Sequence, residues 1–287
     1  MRLRATHVTR YLYAEPVSTC HTETRLAPRI RAGQIPMGHR FEVTPTPSFS
    51  ATRVDYFGNQ VISFSIEQPH RELVISSECE AAVHPAPPPN LSLSPAWEEV
   101  RDQVAGRATQ DAFDAFQFVF ESPLIRRGPE FAGYATECFE PGRRFLEGVN
   151  QLSEKIFKQF RYDTKATTVA TPVEEALKSR SGVCQDFAHV MIACLRSLNL
   201  PARYVSGYIR SIAGVTGAEA SHAWLSVWCP VFGWQDFDPT NKVMPQGDHI
   251  TLAWGRDYSD VAPVKGVALG GGEQTIRVSV EVTEATQ

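Results

Sequence analysis

The chain has 287 residues, of which 43% are hydrophobic and 21% are charged. This composition excludes extensive disorder, and the length suits one large domain or two modest ones. The net charge of −4 disfavours nucleic acid or an anionic membrane as a partner. No apolar run reaches the length of a membrane span, and the first residues, MRLRATHVTRYLYAEPV, lack the apolar core of a signal peptide. We therefore expect a cytoplasmic protein.

Residues 1–84 have the pattern of a β domain. Short runs rich in Thr, Val, Tyr, Phe and Ile are separated by Pro and Gly, which is typical of an antiparallel β-sandwich. The segment 55–59 (DYFGN) predicts a tight hairpin turn. Four prolines between His84 and Asn90 exclude a helix or a central strand, so we expect residues 85–95 to be an extended linker.

After the linker the pattern becomes helical and then returns to strands. Pro95 predicts the first turn of a helix, and residues 143–160 place five apolar side chains at helical spacing. A short helix is expected from Val173 to Lys178. Strands follow from Pro201, and the last segment, QTIRVSVEVTEA, alternates as a half-buried strand does. The sequence leaves open which sheet this last strand joins.

The strongest helical pattern runs from Ser181 to Asn199, with Ser181 and Gly182 as expected capping residues. Cys184 lies in or next to its first turn, on the face that also carries the apolar side chains. Those side chains form one stripe: Phe187, Val190, Met191, Cys194, Leu195 and Leu198. Unpaired N–H groups in a first turn favour a thiolate and donate to the oxyanion of an acyl-transfer intermediate. The pattern also fits an ordinary buried thiol.

A metal site is another interpretation of this helix, because His189 and Cys194, which are potential metal ligands, follow Cys184. At about 100° per residue their side chains diverge around the helix, so they do not converge on one zinc ion. We expect no metal and no cofactor. None of the six cysteines forms a C-x-x-C pair, and we expect buried thiols rather than a disulfide framework.

A thiolate nucleophile needs a base, and the base needs an orienting group. The segment SHAWLSVW predicts a strand with His222 and Trp224 on one face and small apolar side chains on the other. The next strand, GWQDFDP, follows after a short turn and places Asp236 and Asp238 on one face. Either carboxylate reaches His222 on geometry alone. One helix and two strands are therefore enough to hold Cys184, His222 and an acid together.

These segments resemble the core of the bacterial transglutaminase-like superfamily, which contains papain-like cysteine proteases. The likeness is carried by Gly182-Val183-Cys184, His222-Ala223-Trp224 and Asp238-Pro239-Thr240. The PV, LAPR and DYFGN elements resemble the β-rich N-terminal domain that often precedes this core. The resemblance implies an α+β fold, with an antiparallel β-sandwich at 1–84 followed by a transglutaminase-like core at 96–287. In that core helices pack on an antiparallel sheet.

The resemblance also implies a triad in which Cys184 is the nucleophile, His222 the base and Asp238, rather than Asp236, the third member. The expected activity is thiol-dependent hydrolysis of peptide or other amide bonds through a thioester, so the expected partner is a peptide or amide substrate. Two alternatives stay open: transfer of the acyl group to an amine, as in a transglutaminase, and a non-catalytic peptide-binding module. Candidates for support of the substrate or the oxyanion are Gln185, Trp224 and Tyr162.

Overall fold

The computed structural model describes residues 1–285. The strands in chain order are β1 (Arg2–Thr24), β2 (Gln34–Thr44), β3 (Phe49–Val54), β4 (Gln60–Ile66), β5 (His70–Val83), β6 (Arg161–Tyr162), β7 (Ser181–Gly182), β8 (Ala202–Ile209), β9 (His222–Cys229), β10 (Gly233–Phe237), β11 (His249–Gly255), β12 (Val264–Gly270) and β13 (Gln274–Glu284). The α-helices are α1 (Trp97–Gly106), α2 (Gln110–Phe116), α3 (Pro129–Thr136), α4 (Phe145–Gln159), α5 (Val173–Ser179), α6 (Cys184–Ser197) and α7 (Tyr258–Val261).

The N-terminal sheet is organised around β1, which is long enough to pair with four other strands. Its first half pairs with β5 and β13, and its second half pairs with β4 and β12. β2 and β3 extend the sheet beside β5 and β4. The predicted antiparallel N-terminal domain is confirmed, with its strands hydrogen-bonded into one seven-stranded sheet. The C-terminal strand, whose partner the sequence left open, lies beside β1.

The second unit contains a four-stranded antiparallel sheet in the order β10-β9-β8-β11. The inward side chains of β9 belong to the same buried cluster as the apolar stripe of α6, as the two periodicities predicted. Those inward side chains are Ala223, Leu225 and Val227. Helices packed on an antiparallel sheet, expected for this unit, are therefore confirmed.

The two sheets bury apolar side chains against each other, and we call this contact the domain seam. The N-terminal sheet contributes side chains of β1, β5 and β13, and the second unit contributes side chains of β8 and β11. The cluster consists of Leu3, Ala5, Cys79, Ala81, Val83, Tyr208, Ile250, Leu252, Val280 and Val282. The N-terminal sheet also encloses a separate buried cluster, formed mainly by side chains of β1, β4 and β5.

Two side-chain amides of the N-terminal unit satisfy the outer backbone groups of β11 at the domain seam. The Gln34 amide accepts from the Thr251 N–H and donates to the Thr251 carbonyl, both at 2.8 Å. Asn59 makes the same pair of bonds with Trp254, at 3.0 and 2.9 Å. Since β11 is the last strand of its sheet, these amides take the place of a neighbouring strand.

Charged side chains at the domain seam are also paired. The Arg31 guanidinium donates to the Asp236 carboxylate at 2.5 Å, and Ser226 donates to the same carboxylate. The buried Arg203 guanidinium lies over the rings of Trp234 and Trp254, 4.1 and 3.8 Å from their centroids. Paired and stacked charges of this kind make burial tolerable.

The longest helix, α4, has 15 residues, and within the described chain no helix is long and apolar enough to cross a membrane. All six cysteines are buried and free, so the expectation of buried thiols is confirmed.

Candidate active site

Cys184 is the first residue of α6, and two short strands place it there. β6 and β7 pair in parallel, with Tyr162 opposite Gly182, and the helix begins immediately afterwards. The capping prediction was wrong, because Ser181 and Gly182 lie in β7 and the N-cap is Val183. Strand pairing holds the two residues extended, so the helix starts later than the apolar stripe suggested.

The start of α6 keeps free N–H groups for a ligand. Val183 has no side-chain acceptor and makes no capping bond, unlike the polar residues common at this position. The Asp186 carboxylate instead accepts from the Val183 N–H at 2.8 Å and from the Thr167 hydroxyl at 2.6 Å. A Cβ on Gly182 would lie 2.4 Å from that carboxylate, so glycine is required. Cys184 itself is 7% exposed.

His222, at the start of β9, is oriented by Asp238, which follows β10. The His222 Nε2 lies 2.8 Å from Asp238 Oδ2, and both side chains are fully buried. The other carboxylate oxygen accepts from the Thr240 N–H at 2.9 Å. Asp238 is therefore held from two sides, and it fixes the ring orientation of His222.

The electrostatics of this pair favour a charged imidazole. Burial opposes protonation of His222, but the charge of Asp238, its hydrogen bond and the neighbouring Cys184 thiol outweigh burial and raise the His222 pKa to about 10. Burial works against ionisation of Asp238 too, yet His222 and His249 hold the pKa of that carboxyl well below its usual range. The His222 Nδ1 is buried, without a hydrogen bond of ordinary geometry, and is the nitrogen left for the thiol.

The structure separates the two candidate acids. Asp238 contacts His222, whereas Asp236 lies in the domain seam with Arg31 and Ser226. Both side chains project from the same strand end, as the alternation predicted. Their partners differ because the N-terminal unit supplies an arginine to one of them.

The three supporting candidates have different surroundings. Tyr162 packs on Phe187, and burial, followed by the nearby Cys184, raises the pKa of the Tyr162 hydroxyl. The Gln185 amide donates to the Val169 carbonyl at 3.4 Å, in the loop before α5. Trp224 is fully buried, with its ring 6.0 Å from that of His222. The Tyr162 hydroxyl and the His222 imidazole both lie close to Gly217.

Two neighbours of Asp238 were missed at the level of sequence. The His249 Nε2 lies 3.4 Å from Asp238 Oδ2, and the Asn241 amide donates to the same oxygen at 2.8 Å. Asn241 follows Asp238 by only three residues, in the turn DPTN, and that proximity was an available signal. His249 begins the separate strand β11, and no local pattern connects it to the site.

Within residues 1–285, one group of side chains has the composition of a metal site: His222, Asp238 and His249. Their potential ligand atoms lie within 4.8 Å of one another, and all three residues are buried. Both imidazoles, however, direct Nε2 at one carboxylate oxygen, at 2.8 and 3.4 Å. A metal ion needs each ligand atom about 2 Å from itself, so it would have to separate the His222–Asp238 hydrogen bond. The sequence did not anticipate this cluster, and its contacts are those of a hydrogen-bond network.

The chain is similar along its length to mycobacterial proteins. An uncharacterised protein of Mycobacterium tuberculosis is 37% identical over 294 residues, a match that covers 98% of this chain and 92% of the relative. An uncharacterised protein of Mycobacterium leprae is 33% identical, and 98% of each chain is covered. These similarities extend over both units, so the two units occur together in the relatives.

Comparison of the fold and of family models gives a consistent assignment. A crystal structure from Cytophaga hutchinsonii, described as "a putative cysteine protease", superposes with a TM-score of 0.79 at 19% identity, covering 100% of this chain and 91% of that one. At this identity the match shows the fold alone. The model of the bacterial transglutaminase-like N-terminal region matches residues 3–82, and that of the transglutaminase-like superfamily matches residues 133–239. The chain belongs to the transglutaminase-like superfamily and carries the bacterial N-terminal region of that family.

Proposed function

We propose that this protein is a thiol enzyme that hydrolyses peptide or other amide bonds, with Cys184, His222 and Asp238 as its catalytic triad. One observation carries the proposal: His222 is bonded through Nε2 to a buried carboxylate at 2.8 Å, and its other nitrogen is left for a cysteine at the start of a helix. This is the order of nucleophile, base and orienting acid that acyl transfer requires. The cysteine protease description of the Cytophaga protein agrees with it.

The proposed mechanism starts from a Cys184 thiolate and a protonated His222. The Cys184 thiolate attacks the amide carbonyl carbon, a C–S bond forms, and the carbonyl electron pair moves to oxygen. When the tetrahedral intermediate collapses, His222 gives its proton to the leaving nitrogen and the C–N bond breaks. Water then attacks the thioester, His222 accepts a proton from that water, and the C–S bond breaks to release the acid.

Two donors stabilise the oxyanion in this proposal. The backbone N–H of Cys184 belongs to the first turn of α6, where no intrahelical acceptor exists and the N-cap side chain makes no bond. The Tyr162 hydroxyl is the second donor, because it is half-buried beside Cys184 and its raised pKa keeps the proton in place. Donors fixed before the reaction are effective because they need no reorganisation as charge develops.

The test is turnover on a mixed peptide library, read by mass spectrometry, with and without an added primary amine. Wild type is compared with Cys184→Ala and with Cys194→Ala, a matched change on the same helix. Shorter peptides that disappear only in Cys184→Ala support hydrolysis. Products equal to substrate plus amine minus ammonia would indicate transamidation instead.

Alkylation distinguishes an enzyme from a binding module without knowledge of the substrate. Iodoacetamide is expected to modify Cys184 selectively near neutral pH, and His222→Ala is expected to slow that reaction. Cys194 serves as the internal control, since burial raises its pKa. Equal and slow labelling of both cysteines would contradict the proposed function.

A further inference from the structure

The loop between β8 and β9, residues 210–221, lies against His222. We call it the β8–β9 loop. Gly217 has a φ of +88°, and a Cβ at this position would lie 2.7 Å from His222 Nδ1 and 3.7 Å from the Tyr162 hydroxyl. Cys184 and His222 are only 7% and 1% exposed. The loop therefore lies against the imidazole, and we expect a peptide-sized substrate to displace it before its carbonyl reaches the thiol.

Both ends of this loop are bonded to the C-terminal strand. The Ser211 N–H donates to the Val282 carbonyl at 3.2 Å, and the Val280 N–H donates to the Glu219 carbonyl at 3.1 Å. The loop is thus anchored at two points, with its covering segment, residues 213–218, between them.

A single side chain holds the covering segment. The Asn241 Oδ1 accepts from the Thr216 N–H at 2.9 Å, and its Nδ2 donates to the Thr216 carbonyl at 3.2 Å. In the described chain these are the tertiary hydrogen bonds of residues 213–218, beside one local bond from Val215 to Ile212. The position of the segment over His222 therefore depends on one carboxamide.

The same carboxamide is bonded to the triad. Asn241 Nδ2 also donates to Asp238 Oδ2 at 2.8 Å, so both of its N–H groups and its oxygen are used. Asn241 is partly exposed, and a neutral hydrogen bond contributes a factor of only about five to an equilibrium constant in water. Two such bonds make closure favourable but readily reversible.

We infer that Asn241 is a positioning residue that holds the β8–β9 loop closed over His222 while it orients Asp238, so that loop closure and assembly of the triad are coupled. The inference rests on the proposed function. It predicts that amide substrates enter when the Thr216 contact breaks. The contact forms again around the bound substrate and shields the attack of the thiol on the amide carbonyl from bulk water.

The test compares two reagents that alkylate the same thiol. Iodoacetamide is small, and fluorescein maleimide is too large for a closed site. Asn241→Ala is expected to raise the ratio of the maleimide rate to the iodoacetamide rate at Cys184 by about tenfold or more, since two bonds to the loop are lost. The matched control is Asn150→Ala, a partly exposed asparagine on α4, which is expected to leave the ratio unchanged.

The outcomes separate this inference from the proposed function. If Cys184 is alkylated selectively and in a His222-dependent way, but the ratio stays unchanged in Asn241→Ala, the role of Asn241 is overturned and the proposed function stands. If Cys184 shows no selective reactivity in wild type, the proposed function itself fails, and with it this inference.

A second variant, Asn241→Asp, and a second measurement, amide hydrogen exchange, test the inference without the alanine variant. Asn241→Asp has nearly the same shape, but its carboxylate has no N–H to donate to Thr216 or to Asp238. Exchange in peptides covering 211–221 is expected to become about tenfold faster, while β9 peptides stay protected. Faster exchange across the whole chain would show a merely structural role and would overturn the inference.

Discussion

The domain seam and the β8–β9 loop are held by the same kind of hydrogen-bond pair, but the pair is buried in the seam and partly exposed at the loop. In each, a side-chain amide pairs with the N–H and the carbonyl of one backbone residue: Gln34 with Thr251, Asn59 with Trp254, and Asn241 with Thr216. Gln34 and Asn59 are 3% and 0% exposed, whereas Asn241 is partly exposed.

The burial of the amide determines how much free energy is lost when its two hydrogen bonds are removed. When the buried Asn59 amide is removed, the N–H and the carbonyl of Trp254 lose these bonds without access to water, and each costs about 1–3 kcal/mol. When an exposed amide is removed, water replaces it. The domain seam is therefore expected to be permanent, and the loop contact is expected to open and close.

The largest expected effect comes from the two aspartates that end β10. Asp238→Ala removes the partner of His222 and is expected to reduce Cys184-dependent turnover about 100-fold or more. Asp236→Ala is expected to leave turnover nearly intact but to lower the free energy of unfolding by about 3 kcal/mol, because Arg31 loses its carboxylate and Arg203 a nearby negative charge. Steady-state kinetics and urea unfolding check the pair.

The two aspartate variants test whether the seam and the site are separate regions. A loss of turnover in Asp236→Ala as large as in Asp238→Ala, with the protein still folded, would show that the seam participates in catalysis. Unchanged turnover in Asp238→Ala would remove Asp238 from the triad.

The next largest effect is the loss of unfolding free energy when each amide is replaced by alanine. Asn59→Ala is expected to lower the free energy of unfolding by about 2–4 kcal/mol, since the Trp254 backbone groups remain buried without partners. Asn241→Ala is expected to cost less, about 1.4 kcal/mol, which corresponds to the tenfold change in loop opening, because water reaches Thr216. Urea midpoints measured on both variants check this, and equal losses would contradict the role assigned to burial.

The last pair of predictions concerns the pH dependence of stability. The His222 pKa of about 10 exceeds the value of about 6.5 in an unfolded chain. Its contribution is therefore complete below about pH 6.5 and is lost as the pH rises through about 10. The stability difference between wild type and Asp238→Asn is expected to shrink over that range, as measured by unfolding at several pH values.

The seam pair provides the contrast at alkaline pH. Asp236 is bonded to Arg31 and Ser226 rather than to an imidazole. The stability lost in Asp236→Asn is thus expected to stay nearly constant from about pH 7 to 10. A constant difference for Asp238→Asn as well would show that His222 is not the group that titrates.

The candidate active site shows most clearly what could be predicted from the sequence and what could not. The helical stripe placed Cys184 at the start of a helix, and the alternation in β9 separated His222 from the core side chains. The choice between Asp236 and Asp238 was open from the residues and was made by family resemblance. The structure gives the two acids different partners, because Arg31 from a distant strand connection engages one of them.

The sequence by itself determined most of the longer helices and strands, the cysteine at a helix start, the histidine strand and the family to which the chain belongs, whereas β11 and β12 were not predicted. The predicted features depend on consecutive residues, because side-chain period and turn chemistry are local. Only the tertiary structure decided that β13 completes the first sheet, that His249 joins Asp238, and that Gln34 meets Thr251 across 217 residues. Such contacts arise when whole faces pack, and no local pattern in the chain specifies which residue a side chain will meet.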